Sequence, residues 1–428
     1  MTSIISRPVF KALLLSSSIA LLAACGGGGG SSTAAAGPVQ NGKLLDSAVI
    51  GVQYTTSGGL SGITGSNGQF QYRSGDTVTF KIGSLVLGSM VVTGSDAIVT
   101  PILLATTGGV VNSNKVVNLL VLLQSLDEDG LAGNGLSINP AVGAALTAGG
   151  MVPALDGPSG AAFSATLTDV LDAAGDAGGP GVAIDPTVAR NHFAEQMREQ
   201  LTGTWYNTTA GNDTVIRFNS DGEYVLGTTG VGATADDGAG IERGITSINP
   251  ATGVITVPES AVDTNADWGL SGNSATLTLV VTGENTFVIK EAGQPDAVFT
   301  RVVDTAAGFD ALALRGTWTN SWGDGLSESQ LIFTGTGKYF LLSPTAGGGC
   351  ETAGVESGSY TVTTAVPAMV VTISGVSANT DTNGCAGFYD MGVHTSLTNV
   401  RADTTGQLSF TADGDNFVLY RTGVDPRL

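Results

Sequence analysis

Few residues of this chain have the chemistry of a nucleophile, a general base or a transition-metal ligand. The 428 residues include two histidines and three cysteines. Neither a Gly-x-Ser-x-Gly elbow nor a His-Glu-x-x-His motif occurs. The glycine runs at 26–30 and 347–349 precede no Lys-Ser or Lys-Thr pair, so no phosphate loop is indicated. The sequence therefore predicts no catalytic residue and no cofactor.

The two histidines are the residues best suited to act as a base, and both have structural alternatives. His192 stands beside Phe193 on a predicted helix, where we expect a polar contact between that helix and a barrel. His394 lies in the last repeat, where we expect exposure at a barrel rim or a structural hydrogen bond. A pair of carboxylates for glycoside hydrolysis remains an open hypothesis, because the chain has many Asp and Glu residues. No particular pair is marked by the sequence.

Oxygen ligands for a hard cation occur together in one stretch. Asp127, Asp129 and Asn134 lie in an Asp-x-Asp-Gly-x-x-x-Asn-Gly run, and alternate oxygen ligands suit Ca²⁺. The run lacks the third loop ligand and the bidentate glutamate of an EF-hand. Two interpretations remain, a weak calcium site and a turn that ends a helix.

Two tryptophans occur in acidic, glycine-rich loops. Trp268 follows Asn265-Ala-Asp267, and Trp322 precedes Gly323-Asp324. An exposed tryptophan at a barrel mouth can contact a sugar or an apolar ligand, whereas a buried one belongs to the barrel core. Both are candidate ligand contacts.

The charge balance excludes one class of partner. Lys and Arg number 17 against 37 Asp and Glu, for a net charge of −20. Nucleic-acid binding needs a basic surface to neutralise phosphates, and none is indicated. The acids are scattered among frequent apolar runs, so a disordered acidic tail is not indicated either.

The N-terminus has the features of a targeting segment. Residues 1–24 contain Arg7 and Lys11 and then an apolar run from Ala12 to Ala24, which is too short to span a bilayer. The run ends in Leu22-Ala-Ala-Cys25, which resembles the bacterial lipoprotein cleavage motif. The resemblance implies acyl chains such as palmitate on Cys25. An ordinary secretory signal with an incidental cysteine is the alternative.

The residues after Cys25 fit a lipid tether. Residues 25–37 are rich in Gly, Ser and Ala and are expected to behave as flexible coil. The glycine after the cysteine implies sorting to the outer membrane. An extracytoplasmic compartment is oxidising, so Cys350 and Cys385 are expected to form a disulfide.

Residues 38–100 contain short alternating runs separated by turn residues. Ser66-Asn67-Gly68 before Gln69–Tyr72 is a hairpin-turn signal. Together with Gly42–Asp46, Val49–Tyr54 and Gly75–Phe80, this order resembles the carboxypeptidase-regulatory, transthyretin-like β-sandwich. The resemblance implies a non-catalytic module of the kind found on bacterial surfaces.

Residues 101–200 change to helical patterning. Val116–Leu126 is almost wholly apolar, which predicts a buried helix capped by Asn112 or Ser113. Asn139-Pro140 and Asp185-Pro186 predict two further helix starts. Residues 161–174 predict another helix. These segments are similar to those of adhesin-like surface lipoproteins.

The C-terminal half contains an internal repeat, residues 201–303 and 314–423. Four pairs of anchors keep their order: Leu201-Thr-Gly203-Thr-Trp205 with Leu314-Arg-Gly316-Thr-Trp318, Phe218 and Tyr224 with Phe333 and Tyr339, Gly240-Ile-Glu242-Arg-Gly244 with Gly354-Val-Glu356-Ser-Gly358, and Phe299-Thr-Arg301 with Leu419-Tyr-Arg421. Short alternating runs between the anchors predict many strands, and hence a sandwich or barrel. The sequence predicts two β domains in tandem.

The outermost anchors resemble the lipocalin, or calycin, pattern. Each repeat opens with Gly-x-Trp and closes with Arg, at Gly203, Trp205 and Arg301 in the first and at Gly316, Trp318 and Arg421 in the second. The resemblance implies a barrel whose tryptophan seals the closed end, with the arginine packed across its indole. Both repeats are shorter than a typical lipocalin, so the ligand carriage of that family is a separate question.

These observations combine into one expectation for the whole chain. We expect a mainly β protein with a helical middle module: an N-terminal β-sandwich, a small helical domain and two tandem antiparallel β-barrels. The expected function is that of a non-catalytic lipoprotein anchored in the outer membrane by its lipid, of binding or adhesion type. A carrier of a small apolar ligand is the alternative, and a carbohydrate-active enzyme is a third possibility.

Overall fold

The protein is mainly β, with helices concentrated in its middle section. The structure is a computed structural model. It describes residues 37–150, 152–176, 181–209, 212–230, 238–266, 268–271, 275–303, 311–320, 328–344, 353–365, 368–380, 388 and 396–422. Among these residues, no helix has both the length and the apolar character needed to cross a bilayer.

The N-terminal region is built from short strands in small sheets. They are β1 (Gln40–Leu44), β2 (Val49–Ile50), β3 (Gln53–Thr56), β4 (Ser61–Ile63), β5 (Gln69–Tyr72), β6 (Thr77–Ile82), β7 (Leu85–Val91), β8 (Ile98–Val99), β9 (Thr106–Thr107), β10 (Val110–Val111) and β11 (Leu136–Ser137). A three-stranded sheet has the order β5-β1-β8, and a four-stranded sheet has the order β4-β3-β6-β7. Two-stranded pairs join β9 to β10 and β2 to β11.

Aromatic rings fill the space between the two larger sheets. Phe70 of β5 lies 5.9 Å from the ring of Tyr54 and 5.0 Å from that of Phe80, which belong to the other sheet. All three are buried, so the two sheets share one core through edge-to-face contacts.

The hairpin predicted at Ser66-Asn67-Gly68 is wrong, although the turn itself forms. Asn67 and Gly68 have φ angles of 58° and 69°, as a tight turn requires. The turn links β4 to β5, which belong to different sheets. The local sequence specifies the reversal, but the partners of the following strand are chosen by the aromatic core.

The helices predicted to start near residues 112, 139 and 185 form as predicted, whereas the single helix predicted over residues 161–174 is wrong, because a 3₁₀ turn at Ala165–Leu167 divides it into two α-helices. The α-helices are α1 (Pro101–Leu104), α2 (Ser113–Ser125), α3 (Pro140–Gly149), α4 (Ala161–Ser164), α5 (Thr168–Asp176), α6 (Pro186–Leu201) and α7 (Ala311–Leu314). The side chains of Asn112, Asn139 and Asp185 cap α2, α3 and α6 by accepting backbone N–H bonds. In α2, every residue from Val116 to Ser125 is buried, as its all-round apolar pattern predicts.

The sheets and helices of residues 37–201 enclose a single hydrophobic core. Buried residues from the strands, such as Phe80 and Leu87, belong to the same cluster as Leu119, Leu122 and Phe193 of the helices. The change of element type near residue 100 is therefore not a break in the packing. We refer to residues 37–201 as the N-terminal module.

The first repeat is a closed eight-stranded antiparallel barrel, called barrel 1 below. Its strands are β12 (Gly203–Thr209), β13 (Asn212–Phe218), β14 (Glu223–Thr229), β15 (Ala239–Ile248), β16 (Val254–Asp263), β17 (Leu277–Gly283), β18 (Thr286–Glu291) and β19 (Ala297–Arg301). Consecutive strands pair in order, and β12 closes the barrel against β19.

The second repeat forms a second closed eight-stranded barrel, called barrel 2. Its strands are β20 (Gly316–Thr319), β21 (Gln330–Phe333), β22 (Lys338–Ser343), β23 (Gly354–Ala365), β24 (Ala368–Asn379), β25 (Ser396–Ala402), β26 (Gln407–Ala412) and β27 (Asp415–Arg421). The repeat in the sequence is therefore a repeat of the whole barrel.

The N-terminal module is docked on barrel 1 at its β17–β18 hairpin. Asp96 accepts hydrogen bonds from the backbone N–H of Asn285 at 3.0 Å and from its side-chain amide at 3.3 Å. Lys43 forms an ion pair with Glu284. On the neighbouring hairpin, Ile248 packs against the core of the module as well as that of the barrel.

The two barrels pack side by side through outward-facing residues of equivalent strands. The shared apolar cluster contains Val215, Val225, Ile241 and Val302 from barrel 1 with Ile332, Phe340, Leu342 and Val355 from barrel 2. The hydroxyls of Thr204 and Thr317, which each precede the repeat tryptophan, lie 2.6 Å apart. Residues at the same position of each repeat therefore meet, as in a two-fold symmetric dimer.

Candidate functional site

The Gly-x-Trp and Arg anchors come together at one end of barrel 1. Trp205 and Arg301 are direct partners on β12 and β19, and the guanidinium carbon lies 3.9 Å from the centre of the indole ring. Arg301 also donates to the backbone carbonyls of Thr202 at 2.6 Å and Gln200 at 2.5 Å. The cation–π contact and these bonds tie the last turn of α6 to the barrel end.

Barrel 2 repeats the same arrangement. Trp318 pairs with Arg421 across β20 and β27, and the guanidinium carbon lies 4.3 Å from the indole centre. Arg421 donates to the carbonyls of Arg315 at 2.9 Å and Ala313 at 3.3 Å. The predicted packing of the arginine across the tryptophan ring is therefore present in both copies.

The glycine of each anchor has a specific backbone role. Gly203 and Gly316 have φ angles of 122° and 138°, which side-chain-bearing residues rarely adopt. A Cβ atom at Gly203 would also lie 2.8 Å from a terminal nitrogen of Arg301. Glycine thus lets the arginine cross the start of the first strand.

A buried glutamate lies inside each barrel, toward the end away from the Trp–Arg pair. In barrel 1, Glu242 accepts a hydrogen bond from the Tyr224 hydroxyl. Its carboxylate also accepts the backbone N–H of Leu270 at 2.9 Å and that of Ser271 at 2.5 Å. These bonds hold the β16–β17 connection across the barrel mouth.

The glutamate of barrel 2 has the same kind of partners. Glu356 accepts the Tyr339 hydroxyl at 2.8 Å and the backbone N–H of Phe388 at 3.0 Å. The ring of Phe388 packs edge-to-face on Tyr339, with centres 5.4 Å apart. A residue of the β24–β25 connection is again tied to the glutamate.

Burial changes the pKa values of Glu242 and Tyr224 in barrel 1. Desolvation raises the pKa of Glu242 to about 7, against the lowering effect of its hydrogen bonds. Burial and the adjacent Glu242 raise the pKa of the Tyr224 hydroxyl. A carboxyl group that titrates near neutrality is a usual sign of a functional site. Here its oxygens are occupied by tyrosine and backbone donors, so the arrangement closes the mouth.

Large side chains occupy the interiors of both barrels. In barrel 1, Phe287 lies 4.8 Å from both Trp205 and Phe299, and the three rings are buried. In barrel 2, Phe333 lies 4.9 Å from Tyr360. Eight-stranded barrels have interiors that side chains can fill completely. The described side chains of each interior pack against one another and are buried.

Of the two tryptophans predicted as ligand contacts, one is described. Trp268 is 6 % exposed, and its ring lies against Gly238 at the mouth of barrel 1. Its position matches the alternative interpretation, a tryptophan of the barrel core, because its face is covered. Trp322 lies outside the described residues.

The candidate calcium residues form an internally bonded turn. Asp127 accepts the Ser137 N–H at 2.8 Å, and Asp129 accepts the Leu131 N–H at 2.9 Å and the Asn134 amide at 2.8 Å. Within the described ranges, no group of three or more His, Cys, Asp or Glu side chains is arranged to hold a metal. The geometry favours the turn that ends α2 over the calcium site.

His192 contacts another residue of the N-terminal module and not a barrel, so the predicted polar contact between its helix and a barrel is wrong. Its Nε2 lies 2.9 Å from the Ser47 hydroxyl, which also donates to the carbonyl of Ala132 at 2.6 Å. Burial lowers the pKa of His192. Ser47 lies in the loop between β1 and β2, and Ala132 begins a 3₁₀ turn, so both groups belong to the loops of the module. His394 lies outside the described residues.

The three cysteines lie outside the described residues. Lipidation of Cys25 and a disulfide between Cys350 and Cys385 therefore stay predictions. The site residues that sequence reasoning missed are Tyr224 and Glu242 with their counterparts in barrel 2. Their signal was present, because both pairs are anchors of the repeat.

No protein-family model matches the chain, and no curated protein is significantly similar to it.

Proposed function

We propose that this protein is a non-catalytic, lipid-anchored protein of the outer membrane that binds a partner through its outer surface. The observation that supports this most is the filling of both barrels by large side chains. A carrier would need an empty chamber in the barrel, so the packed interiors favour surface binding over ligand carriage. The Trp–Arg closures support the lipocalin-like resemblance as one of fold.

The docking of the three parts also supports a presenting role. The N-terminal module is bonded to barrel 1 through Asp96 and Lys43, and the barrels share an apolar cluster. These contacts make the surface of the described parts continuous. A rigid surface loses little conformational entropy on binding, which favours affinity.

Anchoring is tested by removing the lipidated residue. In a Cys25→Ser variant of the full chain, we expect the protein to move from the membrane fraction to the soluble fraction, because the acyl chains are the expected source of attachment. Cys350→Ser is the matched control and should stay in the membrane fraction. Membrane association of Cys25→Ser equal to that of the unchanged chain would contradict the proposal.

Surface binding is separated from carriage by native mass spectrometry of the full chain. We expect the mass of the bare polypeptide with its lipid. An additional small-molecule mass that disappears on denaturation would contradict the packed-barrel argument and would favour the carrier alternative.

A further inference from the structure

An open groove of about 480 Å³ lies where the N-terminal module meets barrel 1. One wall is helix α6, and the other is the β15–β16 hairpin. The lining residues are Arg190, Asn191, Ser247, Ile248, Asn249, Pro250, Val254 and Thr256. Its size is in the range typical of sites for small molecules, and such sites are common between domains.

Both walls of the groove are held in place by contacts outside it. The C-terminal turn of α6 is bonded to Arg301 through Gln200 and Thr202. On the hairpin, Asn249 accepts the N–H of Ala251 at 2.9 Å, and Ala251 packs against the core of the module. The groove is therefore formed before any ligand arrives.

The chemistry of the lining differs from that of the protein as a whole. The chain has more than twice as many acids as bases, yet the groove has one cation, Arg190, and no carboxylate. Four neutral side chains offer hydroxyl or amide groups, and Ile248, Pro250 and Val254 supply apolar surface. This combination suits a ligand with a negative charge, hydroxyls and a C–H face.

Arg190 is oriented within the groove wall. Its Nε donates to the carbonyl of Pro186 at 3.2 Å, which fixes the guanidinium relative to the helix. Among the described residues, no carboxylate lies within 4.0 Å of the Arg190 guanidinium, and the carboxylate that interacts with its charge from a longer distance is Asp185, at the start of α6. A planar guanidinium can bind a carboxylate through two parallel hydrogen bonds.

We infer that this groove binds an acidic saccharide, with Arg190 on the sugar carboxylate and the amide and hydroxyl side chains on the sugar hydroxyls. The inference rests on the proposed binding function and names the class of ligand. The proposed ligand site is the surface groove between the N-terminal module and barrel 1, and the interiors of the barrels take no part in binding.

The test measures binding of uronic-acid oligosaccharides to the purified full chain by calorimetry. Neutral oligosaccharides of the same length and inorganic phosphate are the comparison probes. We expect the uronic-acid probe to bind, the neutral probe to bind at least tenfold more weakly, and binding to weaken in 0.5 M salt because exposed charges are screened. Phosphate binding as tight as that of the uronic-acid probe would overturn the inference in favour of a simple anion site.

Two variants assign the binding to the groove. Arg190→Gln should weaken uronic-acid binding about tenfold or more, because it removes the charge-assisted hydrogen bonds. Arg198→Gln makes the same chemical change on α6 outside the groove and should bind within about twofold of the unchanged chain. Asn191→Asp adds a carboxylate to an exposed position of the lining and should also weaken binding.

Equal affinity of Arg190→Gln and Arg198→Gln would overturn the inference. So would the absence of any saccharide binding at millimolar concentration. Either result leaves the proposed function standing, because that function is tested separately by fractionation and native mass spectrometry.

Discussion

The two barrels share the residues at their two ends and differ in their outward-facing residues. Each is closed at one end by tryptophan under arginine and at the other by glutamate with tyrosine. The outward-facing residues differ between the barrels, because the two barrels contact different parts of the protein. Barrel 1 contacts the N-terminal module and barrel 2, whereas the apolar cluster between the barrels is the main neighbour of barrel 2.

One pair of equivalent positions shows this difference most clearly. Gly227 and Leu342 each lie three residues after the repeat tyrosine. A Cβ atom at Gly227 would overlap the Leu342 side chain. The residue at this position is small in barrel 1 because it is large in barrel 2, and Gly227 and Leu342 together fill the space near the pseudo-two-fold axis. The residues at the barrel ends are therefore the same in both copies, whereas the residues in the contact between the barrels are complementary to each other.

The largest effect is expected from removing the closing tryptophans. Trp205→Ala and Trp318→Ala each delete a buried ring and its cation–π contact, which should destabilise that barrel by about 3–5 kcal/mol. Hydrogen exchange followed by mass spectrometry should show lost protection in the mutated barrel and retained protection in the other. Trp205→Ala should also reduce protection around Asp96, because barrel 1 holds the module. Loss of both barrels together in Trp318→Ala would mean that they do not fold as separate units.

We expect Glu242 to make the free energy of unfolding of barrel 1 depend on pH. Its pKa is raised to about 7 in the folded state against 4.5 for the ordinary group. The folded state therefore keeps this proton more firmly than the unfolded state. The resulting stabilisation, about 3 kcal/mol, is complete below pH 4.5 and is lost as the pH rises through 7.

Glu242→Gln should flatten this pH dependence in barrel 1. Glu259→Gln replaces an exposed glutamate of the same barrel and serves as control. Urea unfolding at pH 5 and pH 8, read from the protection of barrel 1 peptides, measures the difference. Identical pH profiles for the two variants would show that Glu242 does not carry the effect.

An intermediate effect is expected at the barrel interface. Gly227→Leu should destabilise the contact between the barrels by about 1–3 kcal/mol, since it overfills a packed space. Adding Leu342→Gly exchanges the two equivalent residues and should recover part of that loss. A double-mutant cycle on urea unfolding measures the recovery. Simple additivity of the two changes would argue against a shared space at the pseudo-two-fold axis.

The smallest effect is expected at the ion pair that spans the barrels. Lys338 lies 3.1 Å from Asp213, with both side chains partly exposed, and such pairs contribute at most about 1 kcal/mol. The symmetry-related position of Lys338 is Glu223, which pairs with Arg243 at 3.9 Å instead. Lys338→Met should lower stability slightly at low salt and not at 1 M salt. A loss that persists at 1 M salt would indicate packing by the lysine stem.

Local patterns in the sequence predicted the helices and the barrel ends well. Asn112, Asn139 and Asp185 cap their helices because capping depends on neighbours a few residues away. The Gly-x-Trp and Arg anchors were readable because each occurs twice. The hairpin predicted at Ser66–Gly68 is wrong because the strand that follows is placed by contacts of Phe70 with aromatic rings of another sheet. His192 was misplaced for a similar reason, since Ser47 is 145 residues away.

The sequence by itself determined which elements form and that two similar barrels follow each other, because periodicity, capping residues and repeated anchors are local properties. Only the tertiary structure decided that the barrel interiors are packed, that Glu242 closes a mouth, that Gly227 faces Leu342 and that a groove with one arginine opens beside α6. These features depend on which distant side chains share a space. That choice is made by packing among elements far apart in the chain.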